Sequence, residues 1–305
     1  MMLHSDRDLF REVILRASEA MGVDSGIIEK DYYVTMFLKA LVKRQPQIIF
    51  KGGTSLSKCY KLIQRFSEDI DLNLEYEQRP TEGQRKHLKK NIVATIDDFG
   101  FTLTNPEQVK SRRDYNKYVI DFASVFDFSA LKQYLIVETS VFLRAYPSQT
   151  MTAASLMYDY LKGENREDLI AQFALEPFEL KVQRLERTFL DKLFAVGDYY
   201  LDNKVTEHSR HIYDLYKLAD KVRVDDSLRK LFALVREERQ GHAACLSAQE
   251  DVDLKSLLQR IIDEAAYKSD YEAITEKLLF EKVPYEAAVG ALQKIVDSEL
   301  FQQEL

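Results

Sequence analysis

Two aspartates set two residues apart, Asp69 and Asp71, and a glycine pair followed by two hydroxyls, Gly52-Gly53-Thr54-Ser55, have the types and spacing to do chemistry together. Residues 70–76, Ile-Asp-Leu-Asn-Leu-Glu-Tyr, alternate apolar and polar with period two, the pattern of a half-buried strand. On such a strand Asp69 and Asp71 face one side, with Cα atoms about 6.5–7 Å apart, while Ile70, Leu72 and Leu74 face the core. Aspartate is a poor strand former, and two neighbouring carboxylates repel. A divalent cation removes that repulsion, because hard cations take carboxylate oxygens. A solvated strand face accounts for an isolated Asp-x-Asp equally well.

The glycine pair follows a short strand-like run, Gln47-Ile48-Ile49-Phe50-Lys51. Glycine lets the backbone approach a bulky anion with no Cβ in the way. Thr54 or Ser55 is expected to cap a helix running to about Ile63. Such a helix start offers unpaired N–H donors and a positive dipole end, a cradle for phosphate. The spacing is not that of a P-loop, and an ordinary strand-to-helix turn uses the same residues. The combination is more specific than its parts. A Gly-Gly-Thr/Ser turn, one helix, then Asp-x-Asp on the next strand is the layout of the nucleotidyltransferase fold. There the glycine turn holds the β- and γ-phosphates and the carboxylates hold one or two metal ions. Such folds need a third carboxylate from a neighbouring strand. Glu138 in Val137-Glu138-Thr139 is the first choice, and Asp121 in Ile120-Asp121-Phe122 is its rival.

The elements that must position these residues follow from periodicity. Amphipathic helices are expected over 7–21, 26–43 and 81–98, and strands near 115–123 and 134–142. Beyond about residue 150 the pattern reads as helical, over 184–196, 210–218, 227–236, 254–266 and 285–296. The fold class expected is therefore α+β: a mixed sheet flanked by helices in a core over 1–155, and a mainly helical part over 156–305.

The run Phe50-Lys51-Gly52-Gly53-Thr54-Ser55-Leu56 through Arg65-Phe66-Ser67-Glu68-Asp69-Ile70-Asp71-Leu72 resembles the AbiEii/AbiGii toxin family of nucleotidyltransferases. Glu29-Lys30-Asp31-Tyr32-Tyr33-Val34 looks like the family's N-terminal helix. Arg187-Thr188-Phe189-Leu190-Asp191-Lys192-Leu193 resembles its lysine motif, and Ser209-Arg210-His211-Ile212-Tyr213-Asp214-Leu215-Tyr216 its late aspartate motif. The matches span residues 29–216. The resemblance implies that Asp69 and Asp71 bind a divalent metal, Mg2+ or Mn2+, and Glu138, or its rival Asp121, is the third carboxylate expected from the fold. It implies that Gly52, Gly53, Thr54, Ser55 and Ser67 contact the NTP. Lys192 would reach the triphosphate, and Asp214 would hold Lys192 or help deprotonate the acceptor. It further implies a toxin checked by an antitoxin protein, a place in phage defence, and a tRNA or other RNA 3′ end as acceptor. Taken alone, Arg210 and Asp214 read as an ordinary i,i+4 salt bridge, Lys192 as a solvated lysine, and His211 as a packing or hydrogen-bonding residue.

Composition sets outer limits. The 305 residues are 46% hydrophobic and 30% charged, the balance of a folded globular chain. Net charge is −7, so the chain is no bulk nucleic-acid coat. The charge is uneven: residues 1–150 carry 22 basic and 20 acidic side chains, the rest 21 and 30. Basic runs over 79–90 and 110–117, with Tyr115 and Tyr118 nearby, suit an RNA end or a merely solvated face. Charges interrupt every long apolar run, so no membrane partner is expected. Two cysteines imply no disulfide framework, and the location expected is the cytoplasm. Two other functions stay open on the residues alone: nucleotidyl modification of a protein or small-molecule hydroxyl, and an inactive module that binds an NTP or partner.

Overall fold

The computed structural model describes residues 2–65, 67, 69–126 and 134–302. The chain divides into two compact units, Met1–Tyr60 with Ser67–Val182, and Lys61–Phe66 with Gln183–Leu305.

The first unit runs α1 (Arg7–Met21), α2 (Ser25–Arg44), β1 (Ile48–Lys51), α3 (Gly52–Lys58), β2 (Asp69–Leu74), α4 (Glu82–Asp98), β3 (Thr102–Leu103), β4 (Tyr115–Asp121), β5 (Tyr134–Ser140), β6 (Ser148–Ala153), α5 (Leu156–Gly163), α6 (Glu167–Gln172) and β7 (Phe178–Gln183). The strands form one sheet in the order β3-β4-β5-β2-β1-β7-β6. It is mixed: β2 is parallel to β5 and β1 to β7, while β1–β2, β3–β4 and β4–β5 are antiparallel. This is the α+β class expected. Residues 156–182 pack with this unit because β7 pairs with β1, through Ile49–Lys181 and Phe50–Val182. Beyond residue 150 the chain is thus not purely helical. The alternation Phe178-Glu179-Leu180-Lys181-Val182-Gln183 is the sequence signal that marks β7.

Local chemistry sets the helix ends. Asp6 caps α1 by accepting from Leu9 N, and Gly22 ends it in the left-handed region at φ 64°. Thr81 and Gln84 form a reciprocal capping box at the start of α4. Phe10, Val13 and Ile14 of α1 and Phe37, Leu38 and Leu41 of α2 share one core with Ile70 and Leu72 of β2. Each such side chain contributes about 1.5–3 kcal/mol on burial. Within α2 the charged run is structural. Asp31 pairs with Lys58 of α3, whose ammonium also donates to Thr35 Oγ1 at 2.6 Å. The other Asp31 oxygen accepts from Leu156 N at 2.7 Å. Glu29 accepts from Ser124 Oγ at 2.6 Å and Val125 N at 2.8 Å. This network anchors α3, the helix that carries the glycine turn.

The second unit is helical: α7 (Leu185–Leu201), α8 (Arg210–Ala219), α9 (Asp226–Gln240), α10 (Leu254–Asp263) and a final helix Tyr285–Val296. Helix α8 packs against α7 and the final helix. No helix among the described residues is long and apolar enough to cross a membrane.

His4 sits in an aromatic cluster, stacked on Phe99 with ring centroids 5.6 Å apart and hydrogen-bonded through Nδ1 to Tyr32 Oη at 3.0 Å. Burial lowers its pKa to about 4. Below pH 6.5 the unfolded chain binds a proton that the folded chain refuses, so stability falls as pH drops from 6.5 towards 4. The full effect is up to about 3 kcal/mol. Urea unfolding at several pH values is expected to give a shallower acid slope for His4→Gln than for the parent; equal slopes would remove His4 as the cause.

Candidate active site

The residues of the first unit converge on the turn between β1 and α3. Gly52 adopts φ +74°, and a Cβ built on it would lie 1.9 Å from Asp71 Oδ2. The Asp71 carboxylate therefore occupies the space that any other residue at position 52 would need. Thr54 Oγ1 donates to the backbone oxygen of Asp69 at 2.6 Å and shares a 3.0 Å hydrogen bond with Ser67 Oγ. Ser55 Oγ donates to Gly52 O at 2.8 Å. Both hydroxyls are buried. Thr54 ties the turn to β2, and Ser55 closes the turn on itself. Neither is the helix cap expected of it: α3 begins at Gly52, and Lys51 is the residue before it. Helix α3 also stops at Lys58, not near Ile63. The reason is tertiary, because Lys61–Phe66 packs with the second unit and the chain must leave the first.

On β2, Ile70 and Leu72 are fully buried while Asp69 and Asp71 keep partial exposure on the opposite face. The sheet register places Lys51, Asp71, Glu138 and Lys117 side by side across β1, β2, β5 and β4. Neighbouring strands lie about 4.8 Å apart, so this is one continuous row alternating from cation through two anions to cation. Glu138 Oε1 lies 3.4 Å from Lys117 Nζ. Asp121 pairs instead with Tyr134, further along β4. Glu138 is thus the carboxylate beside the aspartate pair, and it stands against a lysine.

Asp69 Oδ1 is buried and has no hydrogen-bond partner among the described residues. A carboxylate oxygen removed from water and given no donor costs several kcal/mol unless a ligand meets it. Two aspartates on one face with such an oxygen have the donor chemistry of a divalent cation such as Mg2+ or Mn2+. Among the described residues, no three His, Cys, Asp or Glu side chains form a ready-made metal cage.

A second cluster lies within the second unit. Asp214, fully buried on α8, accepts from Arg65 Nε at 2.8 Å and Arg65 Nη2 at 2.9 Å, and pairs with Lys192 Nζ at 3.0 Å. Lys192 Nζ also lies 3.2 Å from His211 Nδ1. Burial opposes ionisation of Asp214, yet the charges of Arg65 and Lys192 outweigh it and hold the carboxyl below its ordinary range. Burial lowers the pKa of Lys192, the Asp214 charge resists, and Arg65 and Arg210 add to the lowering. Lys192 is only 8% exposed, not the solvated lysine its helix position suggests. The i,i+4 salt bridge expected between Arg210 and Asp214 gives way to Arg65, which reaches Asp214 across 149 positions of sequence. The motif around Arg65 gives it no role, and only its tertiary partner supplies one. The places of Lys51 opposite Asp71 and of Lys117 opposite Glu138 are likewise not legible in sequence, because neither pattern nor spacing tells which residue of a neighbouring strand stands opposite a carboxylate.

Two substitutions test this geometry. Gly52→Ala adds strain at positive φ and displaces the Asp71 carboxylate, with an expected loss of about 1–3 kcal/mol in chemical denaturation; unchanged stability would contradict the close approach. Asp214→Asn leaves two buried cations without a counter-charge, and urea unfolding is expected to show a loss of about 3–5 kcal/mol.

A search of curated proteins found no match. Among solved structures the fold is similar to MenT4, a nucleotidyltransferase toxin from Mycobacterium tuberculosis, with a TM-score of 0.53 at 15% identity, covering 96% of this chain and 90% of that one. The family described as nucleotidyl transferase AbiEii toxin, type IV toxin–antitoxin system, matches residues 37–294, a stretch that takes in the glycine turn, the aspartate pair and the Arg65–Asp214–Lys192 cluster. With most of its length matched, this chain belongs to the AbiEii family of nucleotidyltransferase toxins.

Proposed function

We propose that this chain transfers a nucleoside monophosphate from an NTP to the 3′ hydroxyl of a tRNA, blocking translation until an antitoxin protein restrains it. In this reaction the acceptor oxygen attacks the α-phosphorus, the bond to the β-phosphate oxygen breaks, the hydroxyl proton is lost and pyrophosphate leaves. The observation that carries the reading is the Asp69 oxygen left without a hydrogen-bond partner among the described residues, on the face shared with Asp71, beside the turn where Gly52 lets the Asp71 carboxylate approach. Asp69 and Asp71 are assigned to hold Mg2+ or Mn2+, with Glu138 joining them where Lys117 releases it. The metal, when bound, would stabilise negative charge developing on the phosphates. Backbone N–H groups of Gly53, Thr54 and Ser55 are assigned to the NTP phosphates, since the first N–H groups of a helix lack intrahelical partners. The Thr54 and Ser67 hydroxyls are assigned to shaping that turn.

Lys192 is assigned to the triphosphate and Asp214 to holding Lys192. A fully buried carboxylate shared by two cations is a weak base, which favours the holding role over deprotonation of the acceptor.

The test is incubation of the full chain with α-labelled NTPs and total RNA, followed by sequencing of RNA 3′ ends. Label is expected on tRNA 3′ ends, abolished by EDTA and restored by Mg2+. Asp69→Asn or Asp71→Asn is expected to reduce it by about 10²–10³-fold. Label in protein or a small molecule but never in RNA would overturn the acceptor assignment. Undiminished transfer by both aspartate variants would overturn the site.

A further inference from the structure

His211 precedes Asp214 by three residues on α8 and meets the same ammonium. Lys192 Nζ carries three N–H donors and no lone pair. One donor meets Asp214 Oδ2 at 3.0 Å, and His211 Nδ1 lies 3.2 Å away. An ammonium can only donate, so Nδ1 must accept, which assigns the imidazole proton to Nε2 and makes the ring neutral. The ring is fixed in turn. It lies parallel to Tyr199 of α7 at a centroid distance of 5.5 Å and an angle of 5°, and Tyr199 stacks on His208 at 3.5 Å. Burial favours the neutral ring, the charges of Lys192 and Arg210 add to that, Asp214 opposes it, and His208 favours it slightly.

We propose that His211 is a positioning residue for Lys192: as a neutral acceptor it takes one N–H of the ammonium while Asp214 takes another, so that the third is aimed at a phosphate oxygen of the NTP. The Lys192 side chain keeps 11% of its surface accessible. A lysine has four rotatable bonds, and an ammonium pinned at two points loses that freedom before the ligand arrives. A second carboxylate in place of His211 would also pin the lysine, but would cancel the surplus positive charge that Arg65 and Lys192 hold over Asp214. The inference rests on the assignment of Lys192 to the triphosphate made above.

The experiment compares the parent with His211→Asn and His211→Gln in the full chain. The Asn amide oxygen can take the place of Nδ1, whereas Gln carries its amide to the position of Nε2, away from Lys192. Binding of inorganic triphosphate is measured by calorimetry at pH 6, 7 and 8, beside urea unfolding and KM and kcat for the NTP. The expected result is parent-like affinity for His211→Asn and about tenfold weaker affinity for His211→Gln, seen in KM more than in kcat, at matched stability. The parent affinity is expected to change little over this pH range. The proposal is overturned if His211→Gln binds triphosphate as the parent does, if His211→Asn is as weak as His211→Gln, or if the parent does not bind triphosphate. Intact triphosphate binding without any labelling of RNA would sink the acceptor assignment alone.

Discussion

A carboxylate oxygen of Asp71 lies where the Cβ of any residue other than glycine at position 52 would be. That steric exclusion ties two segments, and much of the first unit is arranged to maintain it. Strand β1 delivers Gly52 in a conformation with positive φ, and β2 delivers Asp71 directly opposite Lys51. Thr54 fastens the turn to the backbone of Asp69, so the second carboxylate is held at the same place. Behind the turn, Lys58 of α3 is clamped by Asp31 and Thr35 of α2. The core residues Ile70 and Leu72 then fix which face of β2 the aspartates present, since a slip of one residue would turn both carboxylates into the core.

The Arg65–Asp214–Lys192 cluster answers a different requirement. Burying three charges is expensive, and replacement by apolar side chains is often neutral or stabilising. Its value lies in holding an ammonium at a defined point with a defined direction. Arg65 satisfies Asp214 in the bidentate geometry that guanidinium and carboxylate share, leaving one oxygen edge for Lys192. Charge is not balanced within it, and that surplus is what an anionic ligand would meet. The segment that supplies Arg65 lies between α3 and β2 in sequence, so the two clusters are covalently interleaved although they belong to different compact units.

The stretch matched by the nucleotidyltransferase toxin family takes in both clusters. The aspartate face offers oxygen donors and the second cluster offers a cation, which are the two kinds of group that phosphoryl chemistry uses. Electrostatics of this sort depends on groups fixed beforehand. The hydrogen bonds of Thr54, Ser55, Arg65 and His211 all restrain a neighbouring functional group or turn.

The sequence by itself determined the features that are local. Period-two alternation placed Asp69 and Asp71 on one face, because successive side chains of a strand must point to opposite sides. The glycine pair announced a turn, because few other residues adopt positive φ without strain. Long amphipathic stretches gave α1, α2, α4 and the final helix nearly to the residue. The tertiary structure alone decided who stands opposite whom. Glu138 beside Asp71, Lys117 against Glu138, β7 against β1 and Arg65 on Asp214 each join positions far apart in the chain. No periodicity encodes such pairings, since they follow from how sheet register and helix packing close over distance. The end of α3 belongs with them: beyond Lys58 the chain runs on to Gln64 and Arg65, which find their partners on α8.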